Sequence, residues 1–397
     1  MKQLRSYMVA SILIGAFLMM VAPVQAQESM PLARPPLLSE IQRARTLLTE
    51  ALKHQQATTP PRSTNSREVP LEAILAFYND HTSAIELVTI RKEKRRVTVL
   101  QGSSYDIVIT RDNGVNSEFE VGGHPELHVI SLAHPIFVNQ GTTRRPRFLL
   151  QPVVYTPSSD YLATPEIVSA GEEYLDRNVA LVYELLRRDA LPSRAFPTQL
   201  LVDVVDPVVV KSIIAIEHMD AVALISGDPM YHLDVFHTIL ATNQDAAYAY
   251  ARSSAQAFGL VQFIPSTYKR LVYIRADARL NPDFEKAMST PLDAIKAQVV
   301  FLDYNLSLLP PKVRPQYEHN PRLVGAYLAA MYNGGPSRVL SAIRRWGSNW
   351  AKPHGASGVQ LKRETIGYVK KYELVYEHFA GNVAQDKALV RSATLSN

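Results

Sequence analysis

The sequence contains no cysteine. A disulfide framework, a thiolate zinc site and a cysteine nucleophile are therefore excluded, and so is an N-terminal lipid carried on a cysteine. No G-x-S-x-G, Walker or dinucleotide-binding pattern occurs, which removes the common serine-hydrolase and nucleotide signatures. No internal repeat is present, so a solenoid or propeller is not expected. Beyond residue 26 no stretch is long and apolar enough to span a bilayer.

What is there suits a globular protein of more than one domain: 397 residues, 47% hydrophobic and 20% charged. A net charge of +5 and a pI of about 9.1 favour anionic partners such as cell-wall polymers, membranes or nucleic acid. The N-terminus narrows that choice. Lys2 and Arg5 precede an apolar run from Tyr7 to Val21, and Val24-Gln25-Ala26 supplies small residues. This reads as a signal peptide over residues 1–26 with the cut at Ala26/Gln27, giving a periplasmic or secreted protein and arguing against nucleic acid.

The chain then divides by pattern. Residues 27–70 hold an amphipathic helix, Leu38 to Gln56, and a linker, Thr58 to Arg67. Residues 71–160 read as a β-rich domain. Its opening, Leu71 to Tyr78, is expected as a short helix; strands follow over 84–90, 96–100, 105–110, 119–121, 127–130, 136–138 and 148–154. Asp112-Asn113-Gly114 is a hairpin signal because Asn and Gly accept positive φ. The basic runs Lys92 to Arg96 and Arg144 to Arg147 read as solvated edges or turns, with a binding patch as the alternative.

From residue 161 the pattern turns helical: a connecting segment over 161–204, a helical domain over 205–380 and a polar tail over 381–397 expected to fray. Asp206-Pro207 gives an N-cap followed by a proline suited to a first helical turn, and Thr290-Pro291 and Asn320-Pro321 open further helices. The fold class expected is α+β, with a helical C-terminal domain after a smaller β-rich one.

Glu217 closes an apolar helix containing Ile213, Ile214 and Ile216. A carboxyl group buried among aliphatic side chains stays protonated to higher pH, which a general acid requires. From position alone, a glutamate on the exposed side of an amphipathic helix is the commoner reading. Downstream, Ser254 to Tyr268 reads SAQAFGLVQFIPSTY, a strip that can line a cleft: Gly259 lets backbone approach a ligand, Gln262 offers donors and acceptors, and Pro265 opens a helix. His218, His232 and His237 invite a metal reading, but five residues separate the last two, which places them off a common helical face. No metal and no cofactor is expected.

Three segments resemble blocks of the soluble-lytic-transglycosylase (SLT) type of lytic transglycosylase, whose catalytic domain is goose-lysozyme-like. AFGLVQFIPST is similar to G-L-M-Q-F-x-P-x-T, AAMYNGGPSRV to A-Y-N-A-G-P-x-x-V, and Glu364-Thr365-Ile366-Gly367-Tyr368-Val369 to E-T-x-x-Y-V. They occur in family order, and the likeness covers residues 205–380. The resemblance implies cleavage of the β-1,4 bond between N-acetylmuramic acid and N-acetylglucosamine in peptidoglycan glycan strands, without metal. One glutamate protonates the leaving oxygen, the substrate's acetamido group stabilises the charge, and the same carboxylate drives closure of a 1,6-anhydro ring; such substrate-assisted enzymes are exceptions to the two-carboxylate rule. It assigns Glu217 as the acid and Gln262, Phe263, Tyr332, Asn333, Glu364, Thr365 and Tyr368 to the cleft. On the residues alone, Tyr332 also reads as a core tyrosine and Glu364 as a helix cap.

Two departures stand out. His218 occupies the position where the family usually has serine, and 42 positions separate Glu217 from Gly259, about twice the usual spacing. Residues 221–250 therefore look like an insertion, which brings in Asp220, Asp228, Asp234 and Asp245 as rival carboxylates. Locally the sequence also resembles the membrane-bound B-type transglycosylases, with their I-x-x-E-T and Q-F-x-P-S contexts. The alternatives to an exported transglycosylase are a non-catalytic wall-binding scaffold, with the β-rich domain docking a protein of an envelope complex, and a hydrolytic muramidase on the same fold.

Overall fold

The computed structural model describes residues 36–58, 71–93, 96–139, 148–219, 228–352 and 361–395. The signal-peptide reading, most of the linker, Asp220 and the Arg144–Arg147 run lie outside them. Pro36–Asn397 is one compact unit, and its class is α+β, with the strands first and the helices after.

Helix α1 (Leu37–Thr58) precedes strands β1 (Leu71–Asn79), β2 (Ile85–Glu93), β3 (Arg96–Gln101), β4 (Ile107–Arg111), β5 (Glu118–Val121), β6 (Leu127–Asn139) and β7 (Phe148–Tyr155). Five of them form an antiparallel sheet in the order β3-β2-β1-β6-β7, and β4 pairs with β5 as a separate ribbon. The connection between β4 and β5 is longer than a two-residue hairpin turn: Gly114, at φ +58, opens a single 3₁₀ turn.

Leu71–Tyr78 is a strand, not the expected helix. Its pattern misleads because β1 lies mid-sheet with both faces covered. Ile74, Ala76 and Tyr78 pack under Ile41, Ala44 and Leu48 of α1. Leu75 and Phe77 pack on the other side with Ile107 and Val121 of the ribbon. A strand buried on both faces reads as a continuous apolar run, without the alternation that marks a half-buried one. A second correction concerns the strands expected at 127–130 and 136–138, which are one strand, β6. Pro135 interrupts the sequence pattern but is tolerated, because pairing with β1 ends at Ala133 and the proline faces only β7.

The helices follow: α2 (Pro165–Arg188), α3 (Leu201–Val204), α4 (Pro207–Glu217), α5 (Pro229–Asn243), α6 (Pro265–Ile274), α7 (Phe284–Ser289), α8 (Pro291–Leu308), α9 (Gln316–His319), α10 (Pro321–Gly334), α11 (Pro336–Trp346) and α12 (Arg363–Leu395). One device starts four of them. Thr164, Asp206, Asp228 and Asn320 each accept a hydrogen bond from a first-turn amide, and each precedes a proline. Helix α10 runs to Gly334 and stops where Gly335 takes φ +81. Helix α12 continues through the expected frayed tail to Leu395. After Gly381 that stretch has no glycine or proline and is rich in Ala, Lys, Gln, Arg and Leu, all good helix formers.

Helix α4 is the central element, buried from Val208 to Ile216. Helix α2 packs on α5, and at Gly171 an added Cβ would sit 2.0 Å from the His237 carbonyl oxygen, so only glycine permits the approach. A buried carboxylate on α8, Asp303, holds both the end of α6 and the loop before α3. Arg275 reaches Asp303 at 2.7 Å, and the Ser193 hydroxyl and Arg194 amide donate to the same carboxylate. One hydrophobic cluster runs from Leu75 and Phe77 of the sheet through α2, α4 and α8 to Tyr372 of α12, so the strands and helices share a core.

Candidate active site

Helix α4 delivers Glu217 at its last turn. The free carbonyls of that helix end are met from α12: the Lys371 ammonium donates to the Ile216 oxygen at 2.9 Å and the Met219 oxygen at 2.7 Å. A cation at a helix C-terminus satisfies orphan acceptors and suits the dipole. One turn earlier on α12, the Tyr368 hydroxyl donates to Oε1 of Glu217 at 2.5 Å. Tyr368 and Lys371 stand three residues apart and therefore share a helix face, with the Lys371 ammonium 5.3 Å from the centre of the Tyr368 ring.

Enclosure raises the Glu217 pKa to about 7. Burial is the largest cause; the Tyr368 hydrogen bond and the Lys371 charge pull the other way, and Glu364 pushes up. The carboxyl keeps some surface at the cleft yet has protein on nearly every side. His218 follows it as the helix cap. Its ring donates through Nε2 to the Leu260 carbonyl at 2.7 Å and lies on Tyr248, ring centres 3.7 Å apart. Burial lowers the His218 pKa to about 4, so the ring is neutral.

The AFGLVQFIPST segment folds back on itself. The Phe258 amide bonds the Phe263 carbonyl and the Gly259 amide bonds the Ala251 carbonyl. Gly259 takes φ +75, and a Cβ there would lie 2.1 Å from the Met288 carbonyl oxygen. The glycine thus makes room for backbone, not for a ligand as expected. Gln262 takes φ +49, a region where a side chain is strained, and its amide donates to the carbonyls of Gly259 at 2.8 Å and Ala251 at 3.2 Å. Those bonds fix the side chain at the cleft surface.

The other residues assigned to the cleft divide. Tyr332 donates its hydroxyl to the Val261 carbonyl at 2.5 Å and so braces the Gln262 segment. Asn333 accepts from the Thr365 hydroxyl at 2.8 Å and donates to Glu364 at 3.4 Å, joining the end of α10 to the start of α12. Thr365 is fully buried. Phe263 does not line the cleft. It is 2% exposed and packs edge-on against Tyr268 and Phe301 and beside Tyr332. Of the rival carboxylates, Asp228 caps α5 and Asp245 accepts from Tyr174. Asp234 sits on α5 with its pKa raised by burial first and by Glu172 second.

Glu217, His218 and Gln262 line a cleft of about 790 Å³. Asn113, Asn116 and His134, from the β4–β5 connection and β6, line the same cleft. From the segment 221–250, α5 adds Val235, Phe236 and Ile239 to the lining. Among the described residues no three His, Cys, Asp or Glu converge on a metal position, and no helix is long and apolar enough to cross a membrane.

Residues 245–353 match the family model described as the transglycosylase SLT domain. The chain carries a soluble-lytic-transglycosylase-type domain. Proteins with this domain are peptidoglycan lytic transglycosylases, which are lyases, and the substrate of the SLT domain is peptidoglycan. The match includes Gln262, Tyr332 and Asn333; Glu217 lies before it and Glu364, Thr365 and Tyr368 after it. No curated protein and no solved structure matches the chain. Sequence reasoning missed Lys371, Tyr248 and the Asn113–Asn116 wall. Lys371 had a usable signal, standing one helical turn beyond Tyr368; the wall had none, since no local pattern says which surface a turn will face.

Proposed function

We propose that the chain is an exported enzyme that cleaves the MurNAc-GlcNAc β-1,4 bond and leaves a 1,6-anhydro-MurNAc end, with Glu217 as its single acid and base. The observation that carries the reading is the Glu217 carboxyl, held near pKa 7 by burial with Tyr368 donating to one oxygen. Near neutral pH a large share of it is protonated, as an acid must be to protonate a glycosidic oxygen. The bond from the anomeric carbon to that oxygen breaks as the proton arrives, and the neighbouring acetamido group shares the positive charge. The Glu217 carboxylate, now accepting from Tyr368, takes the proton of the sugar's 6-hydroxyl as its oxygen closes on the anomeric carbon. Glu217 ends protonated again, and no water is consumed.

Among the described residues lining the cleft, Glu217 is the one carboxylate, which favours ring closure over hydrolysis, since a hydrolase needs a group to activate water. Gln262 and Tyr332 carry substrate-positioning roles, Gln262 from the cleft surface and Tyr332 by bracing it; Asn333, Glu364 and Thr365 hold α10 to α12 beside the acid. The division into a β-rich part over 71–160 and a transglycosylase part over 205–380, joined by 161–204, belongs to the same reading, as does removal of residues 1–26 on export.

The test digests purified peptidoglycan with the mature chain and with Glu217→Gln and weighs the products. Anhydro products, each one water lighter than hydrolytic ones, and their loss in the variant are the expected result. Reducing ends would make it a muramidase, and full activity in the variant would move the acid elsewhere.

A further inference from the structure

The cleft does not end at the helical half. A second cavity of about 600 Å³ lies between the β4–β5 ribbon and the start of α5. Arg111, Ser158, His232 and Val235 line both cavities, so the two are one groove that begins at Glu217 and continues across the β-rich half. Its far section has the surface chemistry of a sugar site. Tyr231 is 44% exposed, and its hydroxyl donates to Asp160 at 2.7 Å, which holds the ring in one orientation. Tyr161 lies flat on His128, ring centres 3.5 Å apart and 6° from parallel. Rigid aromatic faces take the apolar face of a sugar ring, and fixed polar groups beside them take its hydroxyls and amides. Arg111, at the junction, holds its guanidinium 3.3 Å from Glu118 and remains largely exposed.

We infer that the β-rich half is the second wall of the active-site groove and binds a distal stretch of the glycan strand, with Tyr231 and Tyr161 as sugar platforms and Arg111 facing the carboxylates that the strand carries. This rests on the proposed transglycosylase reading, since the occupant is identified by continuity with the Glu217 cleft. The length of the groove is the physical argument. A groove longer than the reacting disaccharide gains binding energy from remote sugars, and that energy can be realised at the reacting bond.

Chain length therefore separates the outcomes. Binding and turnover are measured on a peptidoglycan tetrasaccharide and on long uncross-linked glycan strands, for the mature chain, for Tyr231→Ala and for Arg111→Ser, with thermal melts as a folding control. Both side chains are exposed, so the variants should melt as the parent does. Each variant is expected to lose roughly five- to tenfold in kcat/KM and affinity on long strands, and clearly less on the tetrasaccharide. Equal losses on both substrates, or none on either, overturn the inference. Glu217→Gln provides the independent control. If it keeps cleaving while the length effect holds, the acid assignment fails and the groove stands; if it binds strands without cleaving them and Tyr231→Ala binds equally well, the groove fails and the acid stands.

Discussion

At the scale of single residues, the site depends on a contest over one proton. Burial holds the Glu217 carboxyl protonated to about pH 7, and the Tyr368 hydroxyl works against it by favouring the carboxylate. In the proposed reaction the acid form acts first, so kcat/KM should fall as pH rises through about 7. Removing the hydroxyl in Tyr368→Phe takes away a pull toward lower pKa. The alkaline limb should then move to higher pH, while kcat drops on the order of tenfold because the carboxylate left after proton donation has lost its donor. A pH–rate profile of both proteins checks this. A limb that stays in place would mean that Tyr368 serves packing alone. His218 behaves differently from the serine usual at its position: neutral, bonded to Leu260 and stacked on Tyr248, it ties the end of α4 to the Gln262 segment.

At the scale of elements, the end of α4 is held from outside itself. Lys371 closes the Ile216 and Met219 carbonyls. Lys371→Met keeps most of the apolar stem and deletes the ammonium, so both bonds and the favourable charge at the helix end are lost. The expected cost is about 2 kcal/mol in a urea melt. A change under about 0.5 kcal/mol would mean that water replaces the ammonium freely. The starts of α4 and α10 were legible in the sequence, since a capping side chain and a following proline act within one turn. Strand β1 was not. Its Leu, Glu and Ala residues are good helix formers, and both its faces are buried, so propensity and periodicity pointed the same wrong way. The end of α12 erred in the other direction, a polar composition being read as a frayed tail where the residues are in fact helix formers.

At the scale of the molecule, the helical half does not stand alone. Tyr174, Leu175, Val179, Val182 and Leu186 of α2 are buried in the same cluster as α4, α5 and α8. A fragment limited to residues 205–380 would expose the surfaces those side chains cover. It should aggregate or lack a cooperative melt, while the chain from residue 36 onward unfolds in one transition. A sharp, reversible melt of the fragment would show that the shared core contributes little.

The residues of the candidate site illustrate where sequence reasoning reaches and where it stops. An apolar helix ending in Glu217, the Gly-Leu-Val-Gln segment, the Tyr332-Asn333 pair and the Glu364 to Val369 block are patterns of neighbouring residues, and they could be read in order along the chain. The sequence by itself determined the starts of α4 and α10, the strand-rich first half, the basic charge and the order of the site's segments, because each depends on local backbone preference, spacing or composition. Only the tertiary structure decided that Tyr368 reaches Glu217 across 151 positions, that Phe263 turns inward, that Gly259 yields to the Met288 backbone, and that the β-rich half walls the cleft. Those outcomes depend on which buried surfaces meet once the chain has packed, and no local pattern carries that information.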